Sequence, residues 1–322
     1  MAKRRGQPVH GWVNLDKPVG ISSAMAVSIV RRVFNAAKAG HGGTLDPLAS
    51  GVLPIALGEA TKTIAYAMKG MKSYAFTVTW GAQTTTDDLE GDVVGRSSLR
   101  PTQAAITGII PKFTGDILQV PPVFSAIKID GKRAYELARE ALRSSGSVGP
   151  VSSSDLSVML EMEPRLVRID TLSLQALNGD EATFHVTCGK GTYIRSLAED
   201  IGEALGLGGY VAALRRLQEG PFEESQALSF EQLQPLRDRE AFDELDTLLL
   251  PLDSALQHIP SVSLSDTTAD FLVQGQAVFV PKLPEGPLLR LYRGGDAQPQ
   301  FMGIGEILDD GRVTPRRLLA NM

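Results

Sequence analysis

The alternation of apolar and polar positions divides the 322-residue chain into short strands and amphipathic helices. Gly11–Leu15 reads as a strand, closed by the turn Asp16-Lys17-Pro18-Val19-Gly20. Ser22 then caps a helix to about Phe34, because Ala26, Val27, Val30, Val33 and Phe34 recur at helical spacing. Val52–Leu57 is an apolar run that anchors the loop before it to a core, and Glu59–Lys62 reads as a helix turn. Tyr74-Ala75-Phe76-Thr77-Val78-Thr79-Trp80 alternates strictly, which puts Tyr74, Phe76, Val78 and Trp80 on one face of a strand ended by Gly81. A short helix follows at 102–113, and two strands between Arg165 and Cys188 flank the turn Asn178-Gly179-Asp180. Ile194, Leu197, Ile201 and Leu205 form the apolar face of a further helix, and Ser229-Phe230-Glu231-Gln232 opens an acidic helical region with a capping box. Beyond Pro251-Leu252-Asp253, short apolar runs broken by Gly and Pro predict a small β-rich domain, and the chain shows no internal repeat.

Composition changes this picture little. A hydrophobic content of 43% and a charged content of 21% suit a globular chain with a real core. No apolar run approaches the roughly 20 residues that span a membrane. The basic start Met1–Arg5 has no apolar segment behind it, so it is not a secretory signal. A single cysteine, Cys188, excludes an internal disulfide and a cysteine-rich metal site, and a cytoplasmic protein is expected. The net charge of −5 argues against a nucleic-acid partner until its distribution is considered. Residues 219–270 hold twelve acids and two arginines, which leaves the rest of the chain at +5, with seven Lys/Arg against one acid in residues 1–40. A basic front with an acidic back is compatible with RNA, since only the contacting surface meets phosphates.

The most concentrated signal is Gly40-His41-Gly42-Gly43-Thr44-Leu45-Asp46-Pro47-Leu48-Ala49-Ser50-Gly51-Val52-Leu53. Four glycines in twelve positions allow close backbone approaches, and Pro47 holds Asp46 out of the helical region. By residue type alone, Asp46 reads as a turn residue bonding its own backbone, Tyr74 as core packing, Lys17 as a solvated turn residue and Arg195 as an exposed helix arginine. The acidic loop Thr84–Asp92 lacks the ligand spacing of an EF-hand and reads as solvated. Gly189-Lys190-Gly191-Thr192 lacks the ending and spacing of a P-loop. Gln119–Arg139 opens with paired prolines, turns at Asp130-Gly131 and continues as a basic helix. Its Lys128, Lys132, Arg133 and Arg139, interleaved with Phe124 and Tyr135, suit phosphate contacts plus stacking. The Ser/Gly stretch Ser144–Asp155 behind it reads as a flexible tip.

The glycine-rich stretch closely resembles the active-site signature of the TruB-type tRNA pseudouridine synthases. Three further segments are similar to motifs of that family: Leu15-Asp16-Lys17-Pro18-Val19-Gly20, Gly191-Thr192-Tyr193-Ile194-Arg195-Ser196-Leu197 and Leu214–Phe222. The resemblance covers residues 10–222 closely and 250–322 loosely. It implies an α+β fold: a catalytic domain over 1–250 with a large, mostly antiparallel mixed sheet flanked by helices, an RNA-gripping insertion at about 119–155, and a β-rich PUA-like RNA-binding module over 251–322.

It also implies isomerisation of the T-loop uridine at position 55 of elongator tRNAs, with the T-arm stem-loop as partner, a monomer as the working state, and help with tRNA folding as a further role. The base–ribose bond at N1 is broken, the base turns, and the ribose is rejoined through C5, so the oxidation state is unchanged and neither a cofactor nor a metal is required. The family resemblance makes Asp46 the nucleophile, Arg195 its ion-pair partner and Tyr74 the platform that stacks on the extruded base. A nearby cation lowers a carboxylate pKa by about one to three units, which gives Arg195 a physical role in keeping Asp46 ionised. Tyr193 and Leu214 line the base pocket, His41 serves binding, Lys17 and Lys62 serve phosphate contact or site support, and Lys128 and Arg133 grip RNA. The competing classes are a non-catalytic RNA-binding or RNA-folding protein, a glycoside hydrolase, for which no motif supplies a second acid beside Asp46, and a guide-RNA-dependent synthase, against which the compact C-terminal part favours a stand-alone enzyme.

Overall fold

The computed structural model describes residues 6–125, 127–129, 131–144, 151–294 and 299–320. In chain order its elements are β1 (Gly11–Lys17), α1 (Ser23–Val33), β2 (Ala39–His41), β3 (Ala49–Leu57), α2 (Ile64–Ala67), β4 (Lys72–Trp80), β5 (Ala82–Thr84), β6 (Val93–Arg96) and α3 (Gln103–Ile109). Then come β7 (Gly115–Gln119), β8 (Lys128–Ile129), β9 (Lys132–Arg133), α4 (Ala134–Ser144), α5 (Ser153–Met159), β10 (Arg165–Asn178), β11 (Glu181–Cys188), α6 (Ile194–Ala204) and β12 (Gly209–Glu219). The last are β13 (Phe222–Glu223), α7 (Phe230–Asp238), α8 (Phe242–Thr247), β14 (Ser261–Leu264), α9 (Asp266–Val273), β15 (Val278–Phe279), β16 (Leu288–Arg293), β17 (Gln300–Ile307) and β18 (Arg312–Leu318). Two compact units emerge, one of Met1–Asp46, Gly51–Gly70 and Glu219–Met322, the other of Pro47–Ser50 and Met71–Gln218. The fold is α+β.

In the first unit β1 pairs antiparallel with β3 from Gly11↔Leu57 to Lys17↔Gly51, and β2 also pairs with β3. The apolar run of β3 is buried throughout Gly51–Leu57, as its unbroken hydrophobicity demands. Its core includes Trp12, Val52, Ala56, Met68, Phe222 and Ile304. The Trp12 indole N–H donates to the Leu252 carbonyl at 3.0 Å, so the buried ring leaves no polar atom unpaired. Ser22 caps α1 by accepting from the Met25 N–H, and Ser229 and Gln232 form the expected capping box on α7. A five-stranded sheet in the order β14-β16-β17-β18-β15 packs over Leu264, Leu272, Leu289, Leu291 and Val313, which is the β-rich C-terminal part.

In the second unit the sheet runs β12-β4-β11-β10-β7, with β4–β11, β11–β10 and β10–β7 antiparallel. The alternation of β4 buries Lys72, Tyr74, Phe76, Val78 and Trp80 on one face. Phe76 and Phe184 are register partners and stack at 5.2 Å, while Trp80 meets Phe184 edge-on at 6.3 Å. Phe184→Ala removes the shared ring of this trio and is expected to cost about 3–5 kcal/mol. The check is a lower urea midpoint at unchanged slope.

Two sequence expectations are corrected here. The loop Thr84–Asp92 is not simply solvated: Thr84, Asp87 and Asp88 are buried. The Ser/Gly stretch is not a tip to its end. Residues 145–150 lie outside the described residues, but Ser152 caps α5 by accepting from the Asp155 N–H at 3.1 Å. Leu156 anchors that helix against Val123 and Ala138. Serine serves caps as readily as linkers, so composition alone misread it. Among the described residues no helix is long and apolar enough to cross a membrane.

Candidate active site

The first unit holds Lys17, His41, Asp46 and Lys62; the second holds Tyr74, Lys128, Arg133, Tyr193, Arg195 and Leu214. Asp46 lies in the connection from β2 to β3 and is half-buried. The residue before it is clamped: the Ser23 hydroxyl accepts from the Leu45 N–H at 2.8 Å and donates to the Leu45 carbonyl at 2.9 Å. The first turn of α1 therefore fixes the backbone that presents Asp46. The Gly42 N–H donates to the Pro54 carbonyl at 2.9 Å, and a Cβ there would overlap the Met68 thioether. Gly51 sits at φ +98°, a conformation that L side chains avoid.

Lys17 is wholly buried, and its ammonium donates to the Pro18 and Ile21 carbonyls at 2.9 and 2.8 Å. With no surface it cannot meet an RNA phosphate; these bonds brace the turn into α1. His41 is half-buried on β2 opposite Ile55. Lys62 forms a 2.6 Å ion pair with Glu59 at the surface of the first unit.

In the second unit Tyr74 is 7% exposed on β4, with the buried Lys72 two positions earlier on the same face. Gln119 grips the backbone of Tyr193 from both sides, its amide oxygen accepting from the N–H at 2.8 Å and its amide nitrogen donating to the carbonyl at 3.0 Å. Leu214 is buried on β12.

Arg195, in the first turn of α6, is 5% exposed. Its two terminal nitrogens donate to the Thr86 and Phe124 carbonyls, each at 3.0 Å, and one lies 3.6 Å from an Asp88 carboxylate oxygen. Asp88 in turn accepts from the Thr86 hydroxyl at 2.5 Å and from the Glu90 N–H at 3.0 Å. A buried guanidinium pays a desolvation cost of several kcal/mol unless acceptors surround it, and this loop supplies them. That is why Asp88, polar and next to Asp87 in sequence, is nevertheless internal. Sequence reading missed Asp88, Gln119 and Lys72; only the last had a signal, the period-two pattern of β4.

Asp87 is 3% exposed at φ +59°. Burial first, and then the charge of Glu199, push its carboxyl up to about 8 from an ordinary 3.8. The folded chain thus holds a proton that the unfolded chain has released over that range. The contribution to stability is present at acid pH and lost as pH rises from about 4 toward 8. Asp87→Asn is expected to flatten this decline, so that its melting temperature gains on the parent protein between pH 5 and pH 8.

The insertion presents β8 and β9 as a two-stranded ribbon pairing Lys128 with Arg133 and Ile129 with Lys132. The Lys128 and Arg139 side chains and residue Asp130 lie outside the described residues. The Arg133 guanidinium stands 5.9 Å from the centre of the Tyr135 ring, and Lys132 lies 3.5 Å from Glu140; both basic residues are exposed. Among the described residues no group of three or more His, Cys, Asp or Glu could hold a metal ion.

Residues 31–194, half of the chain, match the TruB family pseudouridylate synthase N-terminal domain. The chain belongs to that family. Residues 195–257 match the tRNA pseudouridylate synthase B C-terminal domain, and residues 260–319 the C-terminal region of pseudouridine synthase II TruB. The tRNA pseudouridine synthase B of Stutzerimonas stutzeri is 45% identical over 317 residues, 98% of each chain. That of Bradyrhizobium diazoefficiens is 49% identical over 314 residues, 97% of this chain and 83% of the relative. Among solved structures, an H/ACA RNP bound to a substrate RNA containing 2′-deoxyuridine contains a chain 25% identical, with a TM-score of 0.67 over 97% of this chain and 85% of that one. The matched TruB regions together take in both the glycine-rich loop and the motif that carries Arg195.

Proposed function

We propose that this TruB-family chain isomerises the T-loop uridine at position 55 of elongator tRNAs to pseudouridine as a stand-alone, cofactor-free, monomeric enzyme. Asp46 is the nucleophile, and Arg195 is its ion-pair partner. The uridine leaves the T-loop stack at a cost of about a few kcal/mol and is held on Tyr74, with Tyr193 and Leu214 lining the pocket and His41 on the RNA. As the C5 bond to ribose forms, the C5 proton leaves and N1 ends protonated, so no redox partner enters. The observation that carries this reading is the buried Arg195, fixed by Thr86, Phe124 and Asp88 in a family whose signature loop presents Asp46. A surface arginine would need no such cage.

Lys128 and Arg133 grip the phosphates of the T-arm, and residues 251–322 act as a PUA-like RNA-binding module beyond a catalytic domain of 1–250. The test is pseudouridine mapping on an unmodified tRNA transcript incubated with the protein alone, against a transcript carrying cytidine at position 55. Pseudouridine at that position in the first and nowhere in the second is expected; tight binding with no product would favour the RNA-folding reading instead. Arg133→Ala is expected to weaken tRNA binding and reduce the slope of log affinity against log salt by about one, measured by filter binding across a salt series.

A further inference from the structure

Gln119 ends β7 and is 2% exposed, with its backbone paired to Arg165 of β10. Its side-chain amide meets both backbone polar groups of Tyr193, 74 positions away in sequence. The amide oxygen accepts from the Tyr193 N–H at 2.8 Å, and the amide nitrogen donates to the Tyr193 carbonyl at 3.0 Å. Such a pairing needs a donor and an acceptor side by side on one side chain. Asparagine and glutamine carry both, whereas an ionised carboxylate only accepts and Lys or Arg only donates.

The residue held in this way is ill suited to fixing itself. Tyr193 is the N-cap of α6, extended at φ −102° and ψ 117°, and its side chain makes no capping bond. Ser, Thr, Asp and Asn are the residues that cap a helix unaided, so local sequence does not lock the chain here. The loop before it is a turn: Gly191 has φ +94°, the Thr192 hydroxyl donates to the Gly189 carbonyl at 3.1 Å, and the Gly189 N–H donates to the Arg168 carbonyl at 2.8 Å. Tyr193 thus stands between a glycine turn and an uncapped helix start, and Gln119 supplies the lock from another strand. A half-buried tyrosine in a cap position is kept for what its ring presents rather than for the helix it opens.

Two further bonds join the same segments: the Ser196 hydroxyl donates to the Val120 carbonyl at 2.9 Å, and Arg195 to the Phe124 carbonyl at 3.0 Å. Those bonds come from the body of α6, whereas the bonds of Gln119 fall on Tyr193 itself. We propose that Gln119 is a positioning residue for the isomerisation, acting through Tyr193 by fixing its place in the base pocket. The proposal rests on the reading of Tyr193 as a wall of that pocket. A displacement of about 1 Å at a reacting centre costs about a hundredfold in rate, so a residue that never touches the uridine is still felt in kcat.

The test measures kcat and KM for unmodified tRNA on the full chain, below the melting onset of each variant. Gln119→Met keeps the length of the side chain and loses both bonds; kcat is expected to fall about a hundredfold, with KM changed a few-fold at most. Gln119→Asn carries the same amide on an arm one methylene shorter, which cannot meet both atoms, and is expected to lose about tenfold in kcat. It decides the matter if the Met variant does not fold. Ser196→Ala removes a tie between the same segments but leaves the bonds on Tyr193 intact, so it is expected to lower the melting temperature and keep kcat within about twofold. With Tyr193→Ala already in place, Gln119→Met is expected to lower kcat by less than about threefold more, because the ring it positions is gone. Parental kcat in the folded Gln119 variants, an equal loss in Ser196→Ala, or a full second loss on top of Tyr193→Ala would overturn the proposal. A Tyr193→Ala protein as fast as the parent would instead remove Tyr193 from the pocket, and the proposal would fall with the reading beneath it.

Discussion

Asp46→Asn is expected to abolish tritium release from tRNA labelled at C5 of uridine, while the affinity of the protein for that tRNA stays within about twofold of the parent. The amide matches the carboxylate in size, and the backbone of the loop is held by its neighbours. Leu45 is clamped by Ser23, Gly42 is bonded to Pro54, and Pro47 restricts the backbone regardless of the side chain before it. What the substitution removes, on the proposed mechanism, is the anionic oxygen that attacks. An enzyme stripped of its nucleophile loses turnover by on the order of 10⁴-fold or more, whereas uniform binding contacts are untouched. Turnover by the Asp46→Asn protein at even a hundredth of the parental rate, under conditions that exclude deamidation, would remove Asp46 from the role. Loss of tRNA affinity together with activity would instead assign it to binding.

Elements held by local signals were legible in the sequence. The Ser22 cap and the spacing of Ala26, Val30 and Val33 define α1, the period-two pattern defines β4, and Asn178-Gly179-Asp180 places the β10–β11 turn. Each depends on residues within one or two turns of chain. The family motifs brought Arg195 to attention, but its burial was not legible, because its acceptors sit in Thr86, Asp88 and Phe124, remote in sequence. For the same reason Asp87 and Asp88 read as solvated: polarity marks a need for partners and is silent about whether water or a buried guanidinium meets it. Gln119 carried no signal either, since a glutamine at a strand end is ordinary until Tyr193 is found against it. The serines of the insertion erred the other way, where a cap and a single buried Leu156 outweighed a linker-like composition.

Arg195→Lys is expected to lower turnover by about 10²- to 10³-fold while KM for tRNA changes by a few-fold at most. Lysine keeps the charge but not the fork. One ammonium cannot serve the Thr86 and Phe124 carbonyls and the Asp88 carboxylate from the positions that two guanidinium nitrogens now hold. The cation then loses its fixed place, and with it the part that the proposed mechanism assigns to it. The split between kcat and KM, read beside the melting temperature, separates this from simple structural damage. A displaced cation lowers kcat in a protein that melts and binds tRNA as the parent does. Damage to folding alone would lower the melting temperature and the active fraction together. Asp88→Asn should lower kcat in the same way, because it removes one of the acceptors around the arginine, and the double variant should be far from additive, since both changes act on one guanidinium. An unchanged kcat in both variants would leave Arg195 as a structural tie between α6 and the loop that carries Asp88.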